Sequence, residues 1–271
     1  MPQNLTFLKL GGSLITDKTR PLTAHTDVIA RIAAEIARAR HANPQMQLVI
    51  GHGSGSFGHA TASPHQTQSG GSGQSYWQGF AEVWAAARTL NQIVLESLID
   101  TGLPVIAFPP SAGVIATDKT LSHWDLQPLK HALSHHLIPV VQGDVIFDTH
   151  AGGTIFSTEI IFQYLARELH PQRILLAGSD PGVYQDYGQA ETLIPRITPQ
   201  NIAVVLPALS GAKALDVTGG MEAKVLLMLS LAREIPALQA QIFSGSQPNN
   251  IEKALSGETL GTLITATRDE I

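Results

Sequence analysis

The sequence predicts an α/β fold built around a mainly parallel β-sheet. Short apolar runs alternate with amphipathic helical patterns along nearly the whole chain of 271 residues, which is typical of this class. Hydrophobic residues make up 44% of the chain, so it can bury a sizeable core. Several of the apolar runs end directly in glycine-rich segments, as strands do where the chain turns towards a helix.

The composition excludes several classes of protein. The chain has 17 basic and 22 acidic residues and no basic block, which argues against nucleic-acid binding. It has no cysteine, so disulfides, thiolate nucleophiles and cysteine-type zinc sites are excluded. No run of 18 apolar residues could span a membrane, and the first residues lack the pattern of a signal peptide. We therefore expect a cytoplasmic protein that binds small molecules and does not bind membranes.

The first hundred residues predict two strands and two helices. Leu5–Leu10 is apolar and ends in two glycines, and a second buried strand, Gln47–Ile50, runs into the segment GHGSGSFGH. Asp27–Arg40 is predicted to be an amphipathic helix because its apolar residues recur every four positions. Gln66–Gln74 is polar and of low complexity, which predicts a mobile loop before a long helix at about Tyr76–Thr101.

The middle of the chain predicts strands around a tight turn. Pro104–Phe108 is a short apolar run stopped by two prolines. Pro139–Gln142 and Val145–Phe147 flank Gly143-Asp144 and are predicted to be a strand pair around this turn. A helix is predicted at about Thr154–Leu169.

The C-terminal part repeats the alternation of strands and helices. The predicted elements are a strand at Arg173–Ala177, a helix near Pro199–Leu206, a helix opened by Asp216–Gly220 and ending at Glu234, and strands near Leu238–Phe243 and Thr262–Thr265. No internal repeat or linker interrupts this pattern, so we predict one continuous sheet with two functional lobes.

Three of the seven lysines lie at glycine-rich junctions. Lys9 ends the first strand just before two glycines, and Lys18 closes the loop that follows. Lys224 lies in the first turn of the helix opened by Gly219-Gly220. Glycines let backbone N–H groups approach phosphate oxygens, and lysines supply positive charge to a phosphoryl group in transfer. The pattern indicates phosphoryl transfer, and solvated lysines beside ordinary turn glycines are the alternative.

The second glycine-rich segment has the spacing G-x-G-x-x-G at Gly53, Gly55 and Gly58. A dinucleotide-binding fold would place an acidic residue at the end of a second strand about 20 residues later, and none is found there. The segment is therefore predicted to be an anion cradle of another kind. His59 ends it, at a place suited to a phosphate contact, although a capping or core role is the alternative.

Aromatic residues lie at helical spacing after the polar loop. Tyr76, Phe80 and Trp84 recur every four residues, with Trp77 beside them. They form either the wall of an apolar pocket for a hydrophobic substrate tail or ordinary core.

Two further polar features have less defined roles. Asp144 could orient lysines or a metal-bound nucleotide, or serve as an ordinary turn residue. His131 and His135 lie four apart without an acidic partner, so no metal ligands are predicted.

Together these segments resemble the amino-acid kinase superfamily and, within it, the isopentenyl phosphate kinases. The matching stretches, in the family's order, are LKLGGSLITDK, HGSGSFGH, PVVQGDVIFD, GVY and DVTGGMEAK, and they span about residues 8–225. The combination of the first two is fairly specific, because the wider superfamily generally lacks the histidine that ends the second. Fosfomycin kinases share that histidine.

The resemblance implies a three-layer α/β/α fold in one domain, with an acceptor-binding lobe at about residues 1–170 and a nucleotide-binding lobe at about residues 171–271. It implies ATP and Mg²⁺ as cofactors, and a homodimer. Lys18 would stabilise the transferring phosphoryl group, and Lys9, His59 and Lys224 would complete the catalytic set. ATP would be bound by Lys9, Gly11, Gly12, Ser13, Gly55, Ser179, Asp180, Gly219 and Lys224. The acceptor would be bound by Gly53, Ser54, His59 and Thr158, together with the aromatic residues Phe80 and Trp84.

The chain departs from the family pattern at three places. Ser54 replaces the middle one of three consecutive glycines. Ser157-Thr158-Glu159-Ile160 stands where the family usually has S-G-D-D, and Gly178–Tyr184 stands where it usually has T-D-x-x-G-V-Y. The first two departures touch the acceptor pocket, and the third touches the adenosine side.

The resemblance leads us to expect ATP-dependent phosphorylation of isopentenyl phosphate to its diphosphate, an isoprenoid precursor. A monophosphate acceptor is already anionic near neutral pH, so the reaction needs cations and N–H donors rather than a carboxylate base. The alternatives are a fosfomycin-type phosphonate kinase, an inactive nucleotide-binding homologue, and an NAD-dependent oxidoreductase built on Gly53–Gly58.

Overall fold

The computed structural model describes residues 5–58, 61, 70–186, 190–210 and 220–266. The strands are β1 (Leu5–Leu10), β2 (Gln47–His52), β3 (Val105–Ala107), β4 (Val114–Thr117), β5 (Thr120–Trp124), β6 (Ile138–Gln142), β7 (Asp144–Asp148), β8 (Gly152–Phe156), β9 (Arg173–Gly178), β10 (Tyr184–Asp186), β11 (Ala190–Leu193), β12 (Arg196–Ile197), β13 (Gln239–Ser244) and β14 (Thr262–Ile264). The α-helices are α1 (Gly12–Ile15), α2 (Thr26–Ala42), α3 (Gln74–Asp100), α4 (Gln127–Ser134), α5 (Thr158–Leu169), α6 (Ile202–Ser210), α7 (Gly220–Glu234) and α8 (Asn250–Leu255).

Eight strands form the main sheet, in the order β12-β14-β13-β9-β1-β2-β6-β3. The six strands from β13 to β3 run parallel to one another, and β14 pairs antiparallel to β13. The carboxyl ends of β1, β2 and β9 therefore lie side by side at one edge of the sheet. This edge is where an open parallel sheet places its ligand sites.

Helices cover both faces of the main sheet. Successive residues of a strand point to opposite faces, so Phe7 and Leu8 of β1 belong to different cores. On one face, Phe7 packs against Phe162 of α5, with ring centroids 5.0 Å apart. On the other face, Leu8 belongs to a core that includes Ile32 of α2 and Leu90 of α3. The three-layer α/β/α class predicted from the sequence is confirmed.

A second sheet, in the order β5-β4-β7-β8, stands beside the main one. The prediction of one continuous sheet is therefore wrong. The predicted pairing around Gly143-Asp144 is also wrong, because β6 stays in the main sheet while β7 pairs with β4 and β8. The N–H of Gly143 donates to His52 O (3.1 Å), which fixes the crossing point between the two sheets.

One helix boundary differs from the predicted one for a local reason. The helix predicted from Thr154 starts at Thr158, because residues 152–156 form β8 and Ser157 Oγ accepts the N–H of Ile160 (3.4 Å) as an N-cap. Residues 66–69 of the predicted loop at Gln66–Gln74 lie outside the described residues, and Gln74 already belongs to α3. Among the helices that the structure describes, none is both long and apolar enough to cross a membrane.

Replacing Phe162 with alanine should lower the free energy of unfolding by about 3–5 kcal/mol, since its ring is fully buried and packs on Phe7. Chemical denaturation of the purified variant measures this. Val204→Ala is the control, because Val204 is 82% exposed and should change stability by less than about 0.5 kcal/mol. Equal stabilities of the two variants would contradict the packing described.

Candidate active site

Two glycine-rich loops meet at the carboxyl edge of the main sheet. A Cβ on Gly12 would lie 2.6 Å from Gly55 N, and one on Gly53 would lie 2.9 Å from Gly12 N. Gly55 also has a φ of +48°, which glycine adopts at little cost. Any side chain here would push the loops apart, so the glycines are required by the close approach of two backbones.

A small hydrogen-bond network holds the two loops together. Thr16 Oγ1 donates to Gly12 O (2.7 Å) and accepts the N–H of Ser56 (2.9 Å). Gly11 N donates to Ala177 O of β9 (2.8 Å). Helical turns start at Gly12 and at Gly55, so the first N–H groups of each turn lack a partner within their own turn. Such N–H groups, beside a helix N-terminus, suit an anion.

Lys9 and Glu159 form a buried ion pair next to these loops. Lys9 is the next-to-last residue of β1, and Glu159 lies in the first turn of α5. Each is 7% exposed, and Lys9 Nζ donates to Glu159 Oε1. Burial opposes ionisation of Glu159, but the charges of Lys9 and Lys224 outweigh it and hold the pKa of Glu159 below its ordinary value. Glu159 is therefore an anion that faces two lysines from opposite ends of the chain.

Glu159 is the residue that the sequence-based site prediction missed. The sequence showed a glutamate where the family usually has aspartate, which was a signal that this position keeps a carboxylate. Its neighbour Thr158 is 1% exposed and donates its hydroxyl to His52 O (2.6 Å). The hydroxyl thus faces into the protein, where it ties α5 to the end of β2.

Lys18 lies on an ordered, exposed turn at the same edge. The turn is closed by an antiparallel bridge between Thr16 and Ala24, and by hydrogen bonds from the backbone N–H and hydroxyl of Thr19 to Asp17 Oδ1 (2.8 and 2.6 Å). The hydrogen bonds from Thr19 and then the contact with Arg20 lower the pKa of Asp17 to about 2. Asp17 is therefore ionised near neutral pH and holds the turn.

The nucleotide-side residues predicted from the sequence are brought together only in part. Ser13 Oγ lies 3.3 Å from Ser179 Oγ, which connects the first glycine loop to the end of β9. Ser179 O accepts from Ser244 Oγ of β13 (3.2 Å), and Asp180 follows in the same turn. Lys224 is half-buried in the first turn of α7. Gly219, which was also predicted on the nucleotide side, and His59, which was predicted on the acceptor side, lie outside the described residues.

An aromatic cluster lines the junction between α3 and the second sheet. Trp77 lies next to Tyr76 and Phe80, with ring centroids 5.2 and 5.3 Å apart, and Phe80 lies 5.1 Å from Phe147 of β7. Phe147 is 48% exposed, so part of the cluster is open to solvent. Trp84 lies apart from this cluster.

Trp84 is 40% exposed, with the guanidinium of Arg88 5.9 Å from its ring centroid. In the described part of the chain, it makes no ring contact with Phe80.

Asp144 is buried where the chain passes from β6 to β7. Its Oδ2 accepts the N–H of Ser111 (3.1 Å) and its Oδ1 that of Val145 (2.9 Å). Burial raises the pKa of Asp144 to about 6, against these hydrogen bonds. Within the described residues Asp144 has no ion pair with a lysine, and its two hydrogen bonds hold the turn after β3.

Comparisons with known proteins agree with this geometry. Residues 4–244 match the model of the amino acid kinase family. The chain is 36% identical over 266 residues to the isopentenyl phosphate kinase of Methanocaldococcus jannaschii and 35% identical over 262 residues to that of Haloferax volcanii, covering 96% of this chain and 98% of each relative. A crystal structure of an isopentenyl phosphate kinase superposes with a TM-score of 0.81 at 30% identity, covering 97% of this chain and 100% of that one.

The raised pKa of Asp144 predicts a pH dependence of stability. A carboxyl group whose pKa is higher in the folded than in the unfolded protein binds its proton more tightly in the folded protein. Lowering the pH from 7 to 5 should therefore raise the free energy of unfolding. Over that range the wild type should gain about 1 kcal/mol in the free energy of unfolding relative to Asp144→Asn. Urea denaturation at both pH values measures the difference, and parallel curves for the two proteins would contradict the prediction.

Proposed function

The chain belongs to the amino acid kinase family, and we propose that it is an isopentenyl phosphate kinase, which transfers the γ-phosphoryl group of ATP to isopentenyl phosphate. The products are isopentenyl diphosphate and ADP. Full-length similarity to the relatives described above supports this assignment. The observation that carries it is the buried pair of Lys9 and Glu159 beside two touching glycine loops, with the half-buried Lys224 near enough for its charge to act on Glu159.

The carboxyl edge of the main sheet fits the phosphates of ATP. The paired glycine loops offer N–H groups where a Cβ has no room, and Lys9 brings a cation beside them. We assign Ser13, Ser179 and Asp180 to the nucleotide side, together with Lys224, whose charge acts on Glu159 of the ion pair. Gly219 is assigned with them from the sequence.

Mg²⁺ would be held mainly by the phosphates, whose charge it would neutralise. No group of three or more His, Asp or Glu side chains in the described part of the chain could hold a metal ion. This suits Mg²⁺, which keeps several water ligands and binds substrate phosphates with one or two carboxylates. The described residues therefore act on the phosphates directly.

The transfer forms a bond between an oxygen of the acceptor phosphate and Pγ, and breaks the bond from Pγ to the leaving oxygen of ADP. The acceptor oxygen is already anionic, so no side chain has to remove a proton. The obstacle is repulsion between two polyanions, which Lys9, Lys18 and Lys224 reduce. Asp17 stays ionised and keeps the turn that carries Lys18 in place.

The acceptor site follows from the second glycine loop. The N–H of Gly53 donates to Leu10 O (3.0 Å), so Gly53 supports the loop, and we assign the backbone N–H of Ser54 and, from the sequence, His59 to the acceptor phosphate. The aromatic cluster around Phe80 provides an apolar surface for the five-carbon tail. This apolar surface favours a prenyl phosphate over a small polar phosphonate.

The first experiment incubates the purified protein with ATP, Mg²⁺ and isopentenyl phosphate and follows the phosphorus species by ³¹P NMR. Formation of isopentenyl diphosphate and ADP is expected. The same assay with fosfomycin tests the phosphonate alternative. No diphosphate from isopentenyl phosphate or dimethylallyl phosphate would overturn the assignment, and ATP binding alone would then identify an inactive homologue.

Replacing Glu159 with glutamine should reduce kcat about 10²- to 10³-fold, since a neutral amide cannot compensate the charges of Lys9 and Lys224. Steady-state kinetics below the melting temperature of the variant measures this. Glu168→Gln is the control, because Glu168 is exposed on the same helix. A kcat within twofold of the control would exclude the proposed role of Glu159.

Replacing Lys18 with methionine should reduce kcat by about 10²- to 10³-fold without changing the melting temperature, because Lys18 is exposed in the structure. Lys253→Met, which changes an exposed lysine of α8, should keep full activity. If Lys18→Met retains the activity of this control, the phosphoryl group is stabilised elsewhere.

The homodimer expected from the family resemblance is also proposed. Its support is the edge strand β3, where Ile106 is 40% exposed, beside α3 with its exposed Trp84. Sedimentation analysis should give twice the chain mass of 28.9 kDa. Ile106→Asp should shift the species towards the monomer, whereas a wild-type monomer at micromolar concentration would contradict the proposal.

A further inference from the structure

The carboxyl ends of β1 and β2 carry one buried polar pair on each face of the sheet. Lys9 and Glu159 form the pair on the α5 face. His52, the last residue of β2, forms the other pair with Asn91 of α3. These two residues are 1% and 6% exposed. The chemistry described above uses the first pair and leaves the second without a role.

His52 contacts the acceptor loop through its side chain and its backbone. Its Nδ1 lies 3.2 Å from Gly53 O, and its Nε2 lies 2.9 Å from Asn91 Oδ1. Its own carbonyl oxygen accepts from Thr158 Oγ1 (2.6 Å) and from Gly143 N (3.1 Å). His52 thus joins the second glycine loop to α3, to α5 and to the crossing between the two sheets.

The chemistry of the two contacts explains why the partner is an asparagine. A carbonyl oxygen can only accept, so Nδ1 must carry the proton to bond Gly53 O. A neutral imidazole then has a lone pair on Nε2. The amide of Asn91, whose Oδ1 faces Nε2 in the structure, satisfies this lone pair when its oxygen and its NH₂ group exchange places. Asn91 therefore lets a neutral His52 satisfy both ring nitrogens.

The surroundings of His52 favour this neutral form. Burial lowers the pKa of His52 most and the charge of Lys9 adds to this, and together they outweigh the contacts of the ring with Asn91 and Gly53 O, which raise it. The charged groups near the end of β2 are Lys9 on β1 and its partner Glu159 on α5. An imidazolium at His52 would place a second buried cation near Lys9.

We propose that His52 and Asn91 are positioning residues for the acceptor phosphate, holding the Gly53–Gly55 loop at the distance that transfer requires. The proposal rests on the proposed function. Asn91 lies on the same helix as Phe80, 11 residues away, which is about 16 Å along the axis. One helix, α3, therefore bonds His52 next to the phosphate loop and also carries Phe80 of the aromatic cluster. For this reason we place the action of the His52–Asn91 pair on the acceptor side.

Asn91→Asp and Asn91→Leu test the proposal, with wild type and Val94→Ala measured beside them. Val94 is a buried core residue of the same helix, so Val94→Ala should lower the stability of the protein while keeping the Asn91 side chain that contacts His52. Both Asn91 variants should raise KM for isopentenyl phosphate or lower kcat, by about 10- to 100-fold in kcat/KM, because the loop is misplaced. KM for ATP should stay within about twofold.

The ¹⁵N spectrum of the His52 ring provides a readout that needs no turnover. Wild type should show the neutral tautomer with the proton on Nδ1. Asn91→Asp should show a doubly protonated ring near neutral pH, because a carboxylate can only accept and both nitrogens then need protons. This spectrum can be measured and interpreted even if the wild type does not phosphorylate isopentenyl phosphate. That failure would overturn the proposed function and not the assignment of the His52 tautomer.

Two results would overturn the positioning proposal. One is a wild-type His52 that carries its proton on Nε2 or is doubly protonated at neutral pH. The other is an Asn91→Leu variant whose kcat/KM for isopentenyl phosphate equals that of Val94→Ala.

Discussion

The structure depends on placing buried positive charge at the edge of a sheet whose interior is apolar. An ammonium group at the end of β1 is costly to bury unless a carboxylate meets it. Glu159 provides that carboxylate from the first turn of α5, and α5 is held there because Thr158 bonds to His52 O. Thr158 and Glu159 are neighbours, so one short stretch of chain both supplies the compensating carboxylate and fixes the position of α5.

The glycine loops are a consequence of the same arrangement. The proposed reaction brings two anionic ligands to this edge of the sheet, which requires backbones that are close together and free of side chains. Gly12, Gly53 and Gly55 meet this requirement by direct contact between backbones, and Thr16 bonds to both loops. The donors that face a phosphate are thus fixed before a ligand arrives, which is what electrostatic catalysis requires.

Most of the fold and about half of the site could be predicted from the sequence, for identifiable reasons. Strands that end in glycines, and lysines beside them, are local patterns, so Lys9 and the glycine loops were found directly. Glu159 was not assigned a role, because its partner is 150 positions away and ion pairing over that separation leaves no periodic signal. The run at residues 152–156 was predicted as part of a helix, because a short apolar run does not distinguish a buried strand from a helix. The departure of β7 from the main sheet depends on Asp144 and on Gly143 N, contacts that no hydropathy pattern encodes.

One backbone oxygen anchors both ends of the excursion into the second sheet. His52 O receives Gly143 N at its start and Thr158 Oγ1 at its end. The segment between these residues is also tied to an earlier part of the chain, because β7 pairs with β4. An insertion or deletion in this segment would therefore be absorbed within the second sheet, while the end of β2 and the start of α5 keep their positions.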